Sequence, residues 1–456
     1  MGALASLRYG LSRLKIRRLY NQSKYRESIS FAELQLNCPV NALFAKDIII
    51  RALWNLEEWS LVIDFVMAHP QIDTSNYLQR ARYKLNQGHL EILPPPELRS
   101  IEWNSIELLQ NWYQAGKVLW LRYPNGWLHW EMPIDFDLSS THPSLLALAI
   151  ETVLYPMVSE TAHIKTEPRS PGSKKALAFS GGVDSTAAAI LLPNDTILSY
   201  HRRNFPSMLN HQLAERQFPV WEKSFNRKIL QVPSNHELLR TNLGKNIGFS
   251  TDFAAGVHLI LLADLLDLGT IGFGTPLDNT WLLKGRTYRK FSESNYWKKW
   301  KSSFIHSGLN LEFPINHISE AGALIICENS GFIDSINSCL RGNGIKGCGR
   351  CWKCFNKNGP LGRKVVFESN EIQTFLSKIP LRTGQHVLWA IKKQGLGHRV
   401  PHLSELLTES LDWWERFYPP GLELIGPEWK NSVEKETKKY LESMEDPYQL
   451  ESVDLF

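Results

Sequence analysis

Six consecutive residues, Ser180-Gly181-Gly182-Val183-Asp184-Ser185, bring together two glycines, two hydroxyls and a carboxylate. An apolar run ends just before them at Phe179, and a small-residue helical pattern follows from Thr186. Glycines there let the chain turn sharply and bring backbone N–H groups close to a ligand. A helix that starts at once adds unpaired N–H donors and the positive end of its dipole. Ser180 and Ser185 add hydroxyl donors. The chemistry this pattern supports is anion binding. The carboxylate of Asp184 fits an anion site when a divalent cation such as Mg²⁺ accompanies a polyphosphate.

A second group of reactive side chains lies further along. Cys339, Cys348, Cys351 and Cys354 fall within sixteen positions, in the spacing C-x8-C-x2-C-x2-C. Four thiolates close a tetrahedral Zn²⁺ site, and a closed site of that kind is structural. Redox or sulfur chemistry through a reactive C-x2-C pair is the competing reading. Arg341, Lys346, Arg350 and Lys353 make the segment basic, which we read as a solvated surface. Cys38 and Cys327 stand apart and are expected to be buried structural residues.

The loop is neither the eight-residue Walker pattern nor GxGxxG. The string SGGVDS resembles the PP-loop of the N-type ATP pyrophosphatases. Followed some 155 residues later by the four cysteines, it resembles the 7-cyano-7-deazaguanine synthase family, QueC, over residues 174–358. The resemblance implies an open, mostly parallel α/β sheet of HUP type with helices on both faces. It implies ATP, Mg²⁺ and Zn²⁺ as cofactors, adenylation of a carboxylate with loss of pyrophosphate, and capture by ammonia or another amine. Phe179, Ser180, Gly181, Gly182, Val183, Asp184 and Ser185 then hold the nucleotide's phosphates. Tyr200 and His201, with Ser199, meet its base and ribose, and Gly274 closes the site. Asp184, Ser185 and Lys284 are the expected catalytic residues. The family's substrate loop is replaced by "GTPLDNTWLLKGR" (274–286), in which Asp278 corresponds, and its Arg-Asn pair by Thr251-Asp252.

These residues need a frame. From 175 on, strands are expected at 176–180, 196–201, 228–234 and 270–275. Helices are expected from Thr186, over 211–225 and, as one long apolar element, over 254–268. Pro124-Asn125-Gly126 separates two alternating aromatic-rich runs, the signature of a β-hairpin. Its tryptophans are read as packing residues. The first hundred residues read as helical, beginning with an amphipathic helix carrying Leu4, Leu7, Leu11 and Leu14. "LYNQSKYRESISF" (19–31) and "LWNLEEWSLVIDF" (53–65) match at an offset of 34, the tetratricopeptide period, and a poorer copy starts near 84–91. The expected regions are 1–100 helical, tetratricopeptide-like; 101–170 hairpin-containing; 171–358 catalytic with its cysteine knuckle; and 359–456 a helical extension.

The whole chain of 456 residues has a net charge of +5, mild for its length, which does not demand nucleic acid. No run is long enough to span a membrane, and a cytoplasmic location is expected. The partners expected are a small acid such as 7-carboxy-7-deazaguanine, an amine donor, and a protein partner at the helical repeat. A homodimer is also expected. The competing functions are tRNA thiolation, amidation of a sugar, and non-catalytic ATP sensing; a defence role fits the added helical module.

Overall fold

The computed structural model describes all residues except 1–2, 70–71, 73–76, 79–80, 82–91, 156–163, 206–211, 244, 246, 337 and 342–345. Two compact units divide the chain, one on residues up to Ile92 and the other on Leu93–Asn204 and Asn210–Phe456. The first carries α1 (Ala3–Asn21), α2 (Tyr25–Glu33), α3 (Ala42–Asn55) and α4 (Trp59–Ala68). The 34-residue offset is visible in its geometry. Asn21 and Asn55 end α1 and α3, and Tyr25 and Trp59 begin α2 and α4. Between them, Ser23 and Glu57 both adopt a left-handed backbone, φ 58° and 59°. Buried Ser28 and Ala32 match buried Val62 and Val66 at the same offset. On α1, Ile16 is the buried residue, whereas Leu11 and Leu14 are exposed. The leucine stripe therefore does not set the packing face there; the side chains of Leu4 and Leu7 lie outside those described, as does the poorer copy at 84–91.

The second unit is built on an eight-stranded sheet. Its strands are β1 (Trp112–Ala115), β2 (Val118–Tyr123), β3 (Gly126–Glu131), β4 (Lys174–Ala178), β5 (Ile197–Arg203), β6 (Ile229–Ser234), β7 (Leu268–Phe273) and β10 (Asn310–Glu312). A two-stranded ribbon, β8 (Leu282–Leu283) with β9 (Thr287–Tyr288), stands apart. The sheet order is β1-β2-β3-β6-β5-β4-β7-β10. β6, β5, β4, β7 and β10 run parallel, and the hairpin β2–β3 joins them antiparallel through the Trp130–Ser234 pair. All six residues of β7 are buried, as a strand covered on both faces requires.

Among its helices are α5 (Pro143–Leu154), α6 (Val183–Leu191), α7 (Phe218–Phe225), α8 (Val257–Leu261), α9 (Asn295–His306), α10 (Glu320–Asn329), α11 (Gly384–Lys393) and α12 (Pro427–Tyr440). Residues of 101–170 and 359–456 share one apolar core with residues flanking the SGGVDS loop. The core includes Leu119 and Trp130 of the hairpin and Trp414 and Trp429 near the carboxyl end. The ring of Trp429 lies over Gly272 of β7, where a Cβ would stand 2.7 Å from it. The hairpin's Trp120 and Trp130 are buried and serve packing.

Three expectations for elements are corrected. The apolar stretch 254–268 is not one long helix. It is a 3-10 turn over Asp252–Gly256, the five-residue α8, and further turns before β7 begins. Asp267, at φ 53°, reverses the chain, and its carbonyl accepts from the N–H of Lys174 at 2.8 Å, which ties the turn to β4. The helix expected over 211–225 is split, with Pro219 in the first turn of α7. Finally, α6 starts at Val183 rather than Thr186, inside the glycine motif.

Candidate functional site

The strand register brings the chemistry to one edge. Ala178 pairs with Ser199 of β5 and with Phe273 of β7, so the loops after β4 and β7 leave the sheet side by side at its carboxyl end. Open parallel sheets bind ligands at this edge. Gly181 has φ 69°, which costs an L-residue about 1–2 kcal/mol. Gly274 is held for a different reason. A Cβ there would lie 2.8 Å from Cα and 2.9 Å from N of Ser185, so this strand end touches the loop backbone.

The hydroxyls turn inward in this state. The Ser180 N–H donates to Ser185 Oγ at 3.1 Å, the two hydroxyls lie 2.9 Å apart, and the Gly182 N–H donates to Ser180 Oγ at 3.3 Å. The Val183 N–H donates to the hydroxyl of Ser338, 3.1 Å away. Each acceptor is a rotor, so these amides can be handed to an anion by turning side chains alone. Ser180 is exposed, while Gly182 and Asp184 are half-buried.

Asp184 already has a cation. The ammonium of Lys357 lies 2.6 Å from its Oδ2 and 3.4 Å from Oε2 of Glu320. His386 Nε2 stands 3.7 Å from the same Glu320 oxygen and 3.1 Å from the carbonyl of Asn356. Asp278 accepts from the N–H of Glu320 at 2.7 Å, at the start of α10. The cluster is nearly dry, since Lys357, Glu320, His386 and Asp278 are all buried. Burial raises the Asp184 carboxyl above its ordinary range, with Lys357 opposing it. Burial and the neighbouring Glu320 charge raise Asp278 further. Burial also acts upward on Glu320, but Lys357 outweighs it and holds the group below the usual range. Burial works against the charge of Lys357, yet Asp184 and Glu320 raise its pKa overall. Within the chain, the cation paired with Asp184 is Lys357, which the sequence pattern did not single out.

Other expected residues fall in different places. Lys284 is exposed at the tip of the β8–β9 ribbon, with φ 56°. Among the described residues no hydrogen bond or ion pair joins it to the loop. Phe179 and Tyr200 are buried in an aromatic cluster with Phe218 and Trp221, at ring distances of 4.7–6.4 Å. Burial pushes the Tyr200 hydroxyl well above its normal range. His201 is buried too, with its Nε2 3.0 Å from Glu237, which also pairs with Arg203. Thr251 caps the turn over 252–256, and Asp252 accepts from the Tyr296 hydroxyl at 2.8 Å.

Gln217 was not anticipated. It is 3% exposed, and among the described residues neither oxygen nor nitrogen of its amide has a hydrogen-bond partner. Its Oε1 would lie 3.8 Å from a Cβ at Gly181, so a buried, unsatisfied amide faces the loop. Gln217 directly precedes α7, after Glu215 and Arg216, and the sequence pattern around it carries no sign of its position.

The four clustered cysteines come together with every pair of sulfurs within 4.8 Å. Cys339 and Cys351 are 3.9 Å apart, and Cys348 and Cys354 are 3.8 Å apart. Four thiolates around one tetrahedral ion with metal–sulfur bonds of about 2.3 Å have edges of about 3.8 Å. Backbone N–H groups of Arg341, Cys348, Gly349, Arg350 and Cys354 point at the sulfurs at 3.3–3.4 Å. Gly349, at φ 67°, makes the tight turn. The cluster can hold a metal ion. Arg341 pairs with Glu371 beside it. Of the remaining cysteines, Cys327 is buried as expected, while Cys38 is only half-buried because it lies in the short turn between α2 and α3. Among the described residues, no helix is long and apolar enough to cross a membrane.

Residues 299–451, about a third of the chain, match the model of a family of unknown function, DUF6395. That stretch holds Glu320, Lys357, His386 and all four clustered cysteines but not the SGGVDS loop. No curated protein and no solved structure matches the chain.

Proposed function

We propose that this protein is an ATP-dependent ligase with a PP-loop of the QueC-like kind. The observation that carries the reading is the join at β4. SGGVDS leaves the central parallel strand, turns at a left-handed Gly181, and enters the nine-residue α6 beside the buried ammonium of Lys357. Loop amides, a helix N-terminus and a fixed cation favour a polyphosphate together. Mg²⁺ accompanies the nucleotide as in other ATP-cleaving sites. The four cysteines fit Zn²⁺, which supplies a structural cross-link and takes no part in the reaction.

In the proposed reaction a substrate carboxylate oxygen attacks the α-phosphorus of ATP. The α–β bridge breaks, pyrophosphate leaves, and a mixed anhydride with AMP forms. Ammonia or another amine then attacks the acyl carbon, AMP departs, and the nitrogen loses a proton. The chain's contribution is to hold the departing pyrophosphate against the Val183 and Gly182 amides and to balance its charge with Lys357. The amide of Gln217, free on both atoms, is available to the same ligand. The acid proposed is a carboxylated deazapurine such as 7-carboxy-7-deazaguanine.

The ligase reading is favoured over thiolation by Cys327. That thiol lies beneath the loop, 3.6 Å from the carbonyl of Val183, and burial pushes its pKa up, so it is a poor sulfur carrier. The test is incubation of the full chain with ATP, Mg²⁺, carboxydeazaguanine and ammonia, read by mass spectrometry and pyrophosphate release. The expected result is AMP, pyrophosphate and an amide, or a nitrile where a second ATP adenylates the amide oxygen and that oxygen leaves with AMP. ATP left intact with every carboxylated deazapurine tried sinks the ligase reading.

A further inference from the structure

The phosphate loop and the four-cysteine segment are far apart in sequence, yet they meet at two adjacent loop residues. Ser338, immediately before Cys339, takes the N–H of Val183 at 3.1 Å. Lys357, three residues after Cys354, holds Asp184 at 2.6 Å. We infer that the four-cysteine segment clamps the phosphate loop from both of its ends, with Ser338 and Lys357 as positioning residues that set the loop's affinity for a polyphosphate. This rests on the phosphate-loop reading given above.

The two arms are built as one piece. Asn358 Nδ2 donates to the sulfur of Cys354 at 3.4 Å, and the N–H of Gly359 donates to the carbonyl of Cys354 at 2.9 Å. The turn that carries Lys357 is therefore fixed directly to a cluster sulfur. Arg363 links the arms, donating to the carbonyl of Ile336 at 2.9 Å and to Asn358 Oδ1 at 3.3 Å. Holding the sulfurs around one ion fixes the register of both arms. Releasing them frees the arms while the loop's own backbone remains.

The two residues act in opposite directions. Asp184, Glu320 and Asp278 place three acidic side chains beside a site meant for an anion. The ammonium of Lys357 offsets them, and without it two buried carboxylates face the ligand. Ser338, in contrast, occupies a loop amide that a phosphate oxygen needs. Its hydroxyl is a plug whose removal leaves Val183 ready to donate.

The experiment uses the full, metal-loaded chain. Calorimetry measures binding of ATP with Mg²⁺ and of pyrophosphate, hydrogen exchange reads the amides of residues 180–186, and metal content is measured alongside. Lys357→Gln is expected to weaken ATP binding at least tenfold and Lys357→Arg to restore most of it. Ser338→Ala tightens ATP binding about fivefold, the worth of one hydrogen bond. Both variants keep their metal. Exchange at 180–186 accelerates in Lys357→Gln and after chelation. ATP affinities within twofold of wild type in Lys357→Gln and Ser338→Ala overturn the inference, as does unchanged exchange in the stripped protein. If Lys357→Gln fails to fold, Ser338→Ala and Lys357→Arg still decide it. A wild type that takes neither ATP nor pyrophosphate sinks the phosphate-loop reading instead, and the exchange data then judge the clamp by itself.

Discussion

The ammonium of Lys357 lies 2.6 Å from the carboxylate of Asp184, a contact across 173 positions of sequence. It joins the glycine loop to the cysteine segment, and it sets a positive charge among the acidic side chains beside the loop. Its neighbour Glu320 is bound to the same nitrogen at 3.4 Å, so the lysine cannot be removed without uncovering two charges. Breaking a buried pair of this sort costs about 3–5 kcal/mol.

The cysteines give a prediction that needs no substrate. In the native, metal-loaded chain the half-buried Cys38 reacts readily with a thiol reagent. Cys339, Cys348, Cys351 and Cys354 react only after chelation, and buried Cys327 only on unfolding. Counting thiols by absorbance at each stage checks this. Fast reaction of five thiols without chelator speaks against a bound metal.

Gln217 offers a separation of stability from binding. Its amide is buried with no partner among the described residues, and an unsatisfied buried polar group costs about 1–3 kcal/mol. Gln217→Leu is expected to leave the free protein as stable as wild type or more so, while ATP binding weakens several-fold. Thermal unfolding and calorimetry on the same sample read the two effects. A destabilised variant with intact binding would mean the amide has a structural partner.

Gly274→Ala tests the contact between strand and loop. The added methyl meets Ser185 backbone at 2.8 Å and the Asp184 carbonyl carbon at 3.1 Å, neither of which is a flexible end. Overpacking of this kind costs about 1–3 kcal/mol. Loss of stability with loss of ATP binding is expected from denaturant titration and calorimetry. Gly395→Ala, at a turn where a Cβ meets nothing within 4 Å, pays only the left-handed backbone penalty and keeps ATP binding.

Two groups of buried residues give stability opposite slopes with pH. Burial lowers His129 to about 4 and His258 and His317 to about 3. The unfolded chain takes up their protons near 6.5 and the native chain does not, so stability falls as pH drops from about 6.5 toward 4. Glu312 behaves in reverse. Burial raises its pKa from 4.5 to about 7, and its carboxyl accepts from the N–H of Gly426 at the start of α12. Between pH 4.5 and 7 the unfolded chain loses that proton while the native one keeps it, so this contribution declines as pH rises, by about 3 kcal/mol at most. Denaturant midpoints from pH 4 to 8 should rise steeply on the acid side. Glu312→Gln should add a gain above pH 6, and an unchanged profile in that variant refutes the assignment.

Much of the local structure could be read along the chain. The alternation of apolar strands and helices predicts the parallel core, and Pro124-Asn125 predicts the β2–β3 hairpin, because these signals are set by neighbours in sequence. The cysteine spacing predicts the four-sulfur cluster for the same reason, since three of the four lie within seven residues. The 34-residue offset, read as repeated helix pairs, recurs in the boundaries of α1–α4. The stretch 254–268 differs from its expected single helix: a 3-10 turn precedes α8, which ends at Leu261, and turns occupy 262–267 before β7.

What the sequence by itself determined is which side chains can do chemistry: the SGGVDS loop and the four thiols, each a compact pattern whose members are near neighbours. Only the tertiary structure decided which partners they meet. It buries Tyr200 and His201, leaves Lys284 at a ribbon tip, and brings Lys357, Glu320, Gln217 and Ser338 to the loop. The physical reason is that charge compensation acts over a few ångströms of space, and the crossing of a sheet and its covering helices sets those distances without leaving a periodic trace in the chain.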